Sequence, residues 1–115
     1  MPHFMLKGRF SQESVKGLTA NPQDRRKAAE AALAAVGAKL KDYYFALGDA
    51  DVFVTYEAPD AATAASVAMT VGASGALSSA VTIALLTTDE AMEAMKKSGK
   101  AQKAYKPPSS KPTSK

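Results

Sequence analysis

Hydrophobic and polar positions follow a succession of short patterns along this chain, and each pattern specifies an element. Residues 4–10 alternate, with Phe4, Leu6, Gly8 and Phe10 on one side, which predicts a strand. Ser11 follows as a cap for a short helix in which Val15 and Leu18 lie three apart on one side. Asn21-Pro22-Gln23-Asp24 predicts a second helix start, with Asn21 as cap, Pro22 at the first helical position and an acid in the first turn. That helix buries Ala29, Ala32, Leu33 and Val36 and stops at Gly37, which is free to adopt the left-handed conformation.

Two strands come next, at 39–47 and 52–58, separated by Gly48-Asp49-Ala50-Asp51, whose glycine and aspartates permit a tight reversal. Asp60 caps a helix from 61 to about 71, with Ala64, Val67, Ala68 and Val71 as its inward line. Side chains that small let the helix sit close on a sheet. Residues 79–87 form a fourth strand, with Val81, Ile83 and Leu85 on one face and Ala80, Thr82, Ala84 and Leu86 on the other. Thr87 and Glu90 make a capping box for a last helix, which has Asp89 and Glu90 at its start and Lys96 and Lys97 at its end. Ala91, Met92 and Met95 supply its apolar stripe. The order β-α-β-β-α-β with a terminal helix predicts an α+β fold. Two split βαβ units of this length build a ferredoxin-like sandwich, a four-stranded antiparallel sheet with its helices on one face.

The expected faces of that sheet matter for function. With Phe4, Leu6 and Phe10, Val52, Val54 and Tyr56, and Val81, Ile83 and Leu85 toward the helices, the opposite face holds His3, Met5, Lys7, Arg9, Phe53, Thr55, Glu57, Ala80, Thr82, Ala84 and Leu86. Met5, Phe53, Thr55, Ala84 and Leu86 make it the expected dimer face, because an apolar patch of this kind marks an interface. The competing arrangement folds the terminal helix over it within one chain. If strands one and three pair antiparallel with His3 opposite Glu57, then Met5 meets Thr55 and Arg9 meets Asp51. A carboxylate would then lie beside the imidazole and favour its charged form.

Composition narrows the chemistry. With 115 residues the chain suits one compact domain. The absence of cysteine removes disulfides, Fe–S clusters and thiol nucleophiles, and a single histidine precludes a two-imidazole site in a monomer. The charge of +4 is uneven: residues 1–95 hold 8 Lys+Arg against 11 Asp+Glu, whereas residues 96–115 hold 7 Lys and no acid. The domain is therefore assigned to 1–98, and the Lys/Pro/Ser-rich segment 99–115 is expected to be disordered. Such a tail can attract nucleic acid, but Tyr105 alone interleaves its lysines, so a solubilising role is preferred. Residues 61–88 are uncharged, yet 9 of them are Ser or Thr. They read as a small-residue helix and a buried strand rather than a membrane span. The start lacks a secretory pattern, so a cytoplasmic protein is expected.

Several stretches resemble the GYD-domain proteins, small bacterial and archaeal proteins named for a Gly-Tyr-Asp element after the second strand. The resemblance lies in Met1-Pro2-His3-Phe4, Gly8-Arg9-Phe10-Ser11-Gln12, Leu40-Lys41 through Gly48-Asp49-Ala50-Asp51, and Val52-Phe53-Val54 to Glu57-Ala58-Pro59-Asp60. It covers roughly residues 1–92 and implies a ferredoxin-like, dimeric α/β-barrel type domain. Gly48 and Asp51 are kept, while Ala50 stands where the naming tyrosine would be. Turn geometry alone accounts for Gly48, Asp49 and Asp51.

Candidate chemistry is sparse. His3 has no second histidine or triad partner, and Tyr43, Tyr44 and Tyr56 read foremost as sheet-packing amphipaths. His3, Tyr44 and Tyr56 are nonetheless the candidates should the chain be catalytic. Asp49 and Asp51 lack the other ligands of a calcium loop, and Gly72-Ala73-Ser74-Gly75 follows a helix instead of opening one, so neither metal nor phosphate is expected. The preferred function is a small homo-oligomeric binding or interaction module, with no cofactor expected. The alternatives are a dimeric-barrel enzyme, monooxygenase-like or haem-related, acting on a small molecule, and a nucleic-acid binder using the basic tail.

Overall fold

Alternation at the start of the chain becomes β1 (His3–Phe10), followed by α1 (Gln12–Ala20) and α2 (Arg25–Ala35). The β2 (Lys39–Phe45) and β3 (Val52–Glu57) hairpin, α3 (Ala61–Ser74), β4 (Leu77–Leu85) and α4 (Thr88–Ala104) complete the order. The computed structural model describes residues 1–108 and divides into two units, one of Met1–Leu85 and a second from Leu86 onward. In the first unit the four strands form one antiparallel sheet in the order β2-β3-β1-β4. This is the ferredoxin-like α+β arrangement predicted from the patterning.

Capping explains most helix boundaries. The Ser11 hydroxyl accepts from the Ser14 N–H at 3.1 Å, and the Asp60 carboxylate accepts from the Thr63 N–H at 2.8 Å. Gly37 (φ +77) and Gly75 (φ +74) take the left-handed conformation just past α2 and α3. Gly75 is the stop for α3, so Gly72 sits inside the helix and α3 extends three residues beyond its expected end at 71. The start of α2 also differs from expectation. Asp24 is its cap, bonded to the Arg26 N–H at 3.0 Å, whereas the Asn21 N–H closes α1 on the Gly17 carbonyl at 2.9 Å. A residue already terminating one helix cannot also open the next, so Pro22 and Gln23 form the link.

Central strands supply the core. Phe4, Leu6, Val52, Val54 and Tyr56 are buried with Leu33 of α2 and Ala64 of α3. The Phe4 and Tyr56 rings stack with centroids 5.7 Å apart. Register places His3 opposite Glu57 and Met5 opposite Thr55, and Arg9 reaches Asp51 at 3.9 Å. All three pairings match the alternation-based expectation.

β4 corrects that expectation on face and on burial. Phe4 lies opposite Ala84, and Leu6 opposite Thr82, so Ala80, Thr82 and Ala84 share the helix side. Val81, Ile83 and Leu85 instead join Lys7, Met5 and His3 on the outer side. The strand also starts two residues earlier than expected, at Leu77, and Ser78 is passed over where the register shifts between Arg9 and Phe10. Its ending at Leu85 follows from Thr87 serving as the cap of α4. Being an edge strand, β4 is largely exposed and not buried.

In the second unit, α4 begins with the expected capping box, in which Thr87 and Glu90 exchange side-chain-to-backbone bonds of 3.1 and 2.8 Å. The helix runs through Ala104, well into the segment expected to be disordered. Lys, Ala and Gln are good helix formers and outweigh the roughly 1 kcal/mol that Gly99 costs. Tyr105 is the C-cap, shortly before Pro107 and Pro108. The remainder of that expected tail, 109–115, lies outside the described residues.

Gly8 lies close against β4. A Cβ built there would lie 2.6 Å from the Ser79 carbonyl oxygen and 2.8 Å from a Leu77 methyl. Gly8→Ala is therefore expected to lower the unfolding free energy by about 1–3 kcal/mol, measured by chemical denaturation; unchanged stability would mean that the two strands are not held this tightly.

Candidate functional site

The sheet presents two surfaces, and the candidate residues divide between them. On the outer side β4 contributes Val81, Ile83 and Leu85, β1 contributes Met5, and β3 and β2 contribute Phe53 and Tyr44. Val81 is 50% exposed and Tyr44 66%, while Met5, Phe53, Ile83 and Leu85 are half-buried. Polar groups flank this apolar patch. Lys41 pairs with Glu57 at 3.3 Å, and the Thr55 hydroxyl donates to the Asp42 carboxylate at 2.9 Å. Lys41 holds the Glu57 carboxyl below the ordinary glutamate value; partial burial opposes this, and His3 and the N-terminus reinforce it from further off. Glu57 thus forms its ion pair with Lys41 and not with the His3 imidazole that faces it across the strands.

Two of the expected dimer-face residues are not on this surface. Ala84 points to the helix side, and Leu86 lies past the end of β4, outside the sheet. Met5, Phe53 and Thr55 do share the outer side. Because the larger β4 side chains turn outward, the patch is more apolar than the sequence pattern implied.

The Gly48–Asp51 turn is held from β1. The Arg9 guanidinium donates to the Gly48 and Asp49 carbonyls at 2.8 and 3.1 Å. The Asp51 carboxylate accepts from the Phe10 N–H at 2.9 Å, and the Asp51 N–H donates to the Gly8 carbonyl at 2.8 Å. Gly48 has φ +123, a backbone state that L side chains rarely adopt. Ala50, inside the turn, is buried. Gly48, Asp49 and Asp51 therefore tie the hairpin to the first strand.

Between the sheet and helices α2 and α3 lies a cavity of ≈ 230 Å³. The alanines of α2 (Ala28, Ala29 and Ala32) are too short to fill the space above Val52 and Val54. Tyr56, 1% exposed, lines it, and its hydroxyl has no hydrogen-bonding partner among the described residues. Burial pushes the phenol pKa of Tyr56 up, and burial likewise raises that of Tyr43, with Arg25 opposing and Asp24 adding to it. Arg25 lines this cavity and also a second hollow beside α1. Its guanidinium donates to the Gln23 side-chain oxygen at 3.0 Å, and no carboxylate pairs with it among the described residues.

His3, Tyr44 and Tyr56 are consequently not one constellation. His3 and Tyr44 belong to the outer surface and Tyr56 to the inner one. Arg25 and Tyr43 were not singled out as a pair by sequence; the available signal was the alanines in the inward line of α2, Ala29 and Ala32 beside Leu33, which leave volume unfilled. Among the described residues no three His, Asp or Glu side chains are grouped to hold a metal. No helix among them is long and apolar enough to cross a membrane.

Residues 4–103 match the GYD domain, a span that extends past the region of visible resemblance into α4. No curated protein matches the chain.

Two expectations follow from these surfaces. Tyr56→Phe keeps the ring and deletes an unpartnered buried hydroxyl, so the unfolding free energy stays within about 1 kcal/mol of the parent or rises; a clear loss would show that the hydroxyl is held. By carboxyl NMR titration, Glu57 is expected to have its midpoint below the ordinary value of 4.5, and Lys41→Met to move it upward. Because the folded value is depressed, the associated stability is present above 4.5 and lost as pH falls through the Glu57 midpoint. A midpoint unmoved by Lys41→Met would contradict the pairing.

Proposed function

The chain belongs to the GYD-domain family, and we propose that this member is a homodimeric binding module whose sheets pair outer face to outer face, each subunit keeping its helix-side cavity for a small molecule. The observation that carries the proposal is the apolar outer surface of Met5, Phe53, Val81, Ile83, Leu85 and Tyr44. A patch of that kind left in water favours association. Its rim favours a second copy as the partner. A two-fold interface brings one patch against itself, so a self-complementary rim must carry both signs of charge. Lys7 and Lys41 lie on the same surface as Asp42 and Glu57.

Full burial of one Ile or Phe side chain contributes about 1.5–3 kcal/mol, so several partly covered ones supply an association energy of useful size. Pairing through this face leaves the cavity on the opposite side of the sheet unobstructed. Sedimentation at micromolar concentration is expected to give a dimer for the parent chain. Phe53→Glu and Ile83→Glu, which each bury a carboxylate from both subunits in the proposed interface, are expected to give folded monomers by sedimentation and circular dichroism. A monomeric parent, or a dimer indifferent to both substitutions, would refute the proposed interface.

A further inference from the structure

The cavity between the sheet and the helices has a polar signature that specifies a ligand class. Its walls are mostly Ala, Val, Leu and Phe, so the body of a ligand must be apolar. Arg25, Tyr43, Tyr56, Thr70 and Ser74 break that pattern, but the Thr70 and Ser74 hydroxyls are spent on the Ser66 and Val71 carbonyls of their own helix. Tyr56, one of the lining residues, carries a buried hydroxyl without a partner among the described residues, and a phenol is protonated and able to donate at neutral pH. Arg25 presents a cation that no carboxylate neutralises among the described residues. Arg25 is half-buried as a residue, and a guanidinium is well suited to a carboxylate, which it can hold in bidentate geometry.

Size sets the remaining limit. A cavity of about 150 Å³ holds a benzene ring, so ≈ 230 Å³ corresponds to about nine or ten non-hydrogen atoms. We propose that this cavity binds a small, largely apolar organic acid of one ring or similar bulk, its carboxylate paired with Arg25 and a second polar group accepting from the Tyr56 hydroxyl. The inference rests on the cavity being a small-molecule site, as proposed above, and adds which chemistry it selects.

Four probes separate these contributions: 4-hydroxybenzoate, benzoate, 4-methylphenol and toluene, each titrated into the isotope-labelled full chain while amide shifts of Leu33, Val54 and Val67 are followed. Benzoate is expected to bind at least about 10-fold more tightly than toluene, and Arg25→Met to abolish that difference. 4-Hydroxybenzoate is expected to exceed benzoate in the parent chain, and Tyr56→Phe to erase the advantage. Toluene binding as well as benzoate, or acids binding equally to Arg25→Met, would overturn the ligand class while leaving the cavity a small-molecule site. The hydroxyl assignment falls if Tyr56→Phe leaves the preference for 4-hydroxybenzoate intact. If none of the four probes moves the cavity amides at millimolar concentration, both the ligand class and the small-molecule role of the cavity fail.

Discussion

Antiparallel pairing of β1 with β3 is the constraint on which the rest of the molecule depends. Side chains alternate across a sheet with a period of two, so a slip by one residue would exchange the inner and outer faces. With His3 opposite Glu57, the large residues Phe4, Leu6, Val52, Val54 and Tyr56 go to the helix side together. Arg9 and Asp51 fasten the far end of the same register through the Gly48–Asp51 turn and the Phe10 backbone. Met5 and Phe53 are thereby committed to the outer face, and β4 adds Val81, Ile83 and Leu85 to them.

The two surfaces depart from ideal packing in opposite ways. The outer one carries more large apolar side chain than a solvated sheet face does. The inner one has too little, since α2 offers alanines where larger residues would close the space, and a cavity remains. A core selected for stability alone would favour filling that volume and replacing the Tyr56 hydroxyl, because voids and unpartnered polar groups are both unfavourable. Their coincidence with Arg25 at one location gives the cavity its functional interest.

Much of this was legible in the sequence where one signal dominated. Alternation in residues 4–10 and 52–57 shows which side chains share a face but not the register, since a slip by two residues keeps the faces; the His3–Glu57 and Arg9–Asp51 pairs could be anticipated only as consequences of one assumed register, which the structure adopts. β4 was not legible in the same way. Its apolar residues occupy both phases, and side-chain size suggested that Val81, Ile83 and Leu85 faced inward, whereas the smaller Ala80, Thr82 and Ala84 do. Asn21 and Asp24 are both good helix caps, and only the closure of α1 on Asn21 decides between them. The end of α4 was obscured by a Lys- and Ser-rich composition that resembles a disordered tail even where its residues favour helix. The cavity was hidden because it arises from volumes left over between elements and not from any motif.

The central claim, that the outer face is buried against a second copy, is tested most directly by filtered NMR on a mixture of isotope-labelled and unlabelled chains. Intersubunit contacts are predicted among Met5, Phe53 and Ile83, with none from the cavity-lining Val54 or Val67. An absence of intersubunit contacts, together with strong broadening of the Met5 and Ile83 methyls by a soluble paramagnetic agent, would contradict the account.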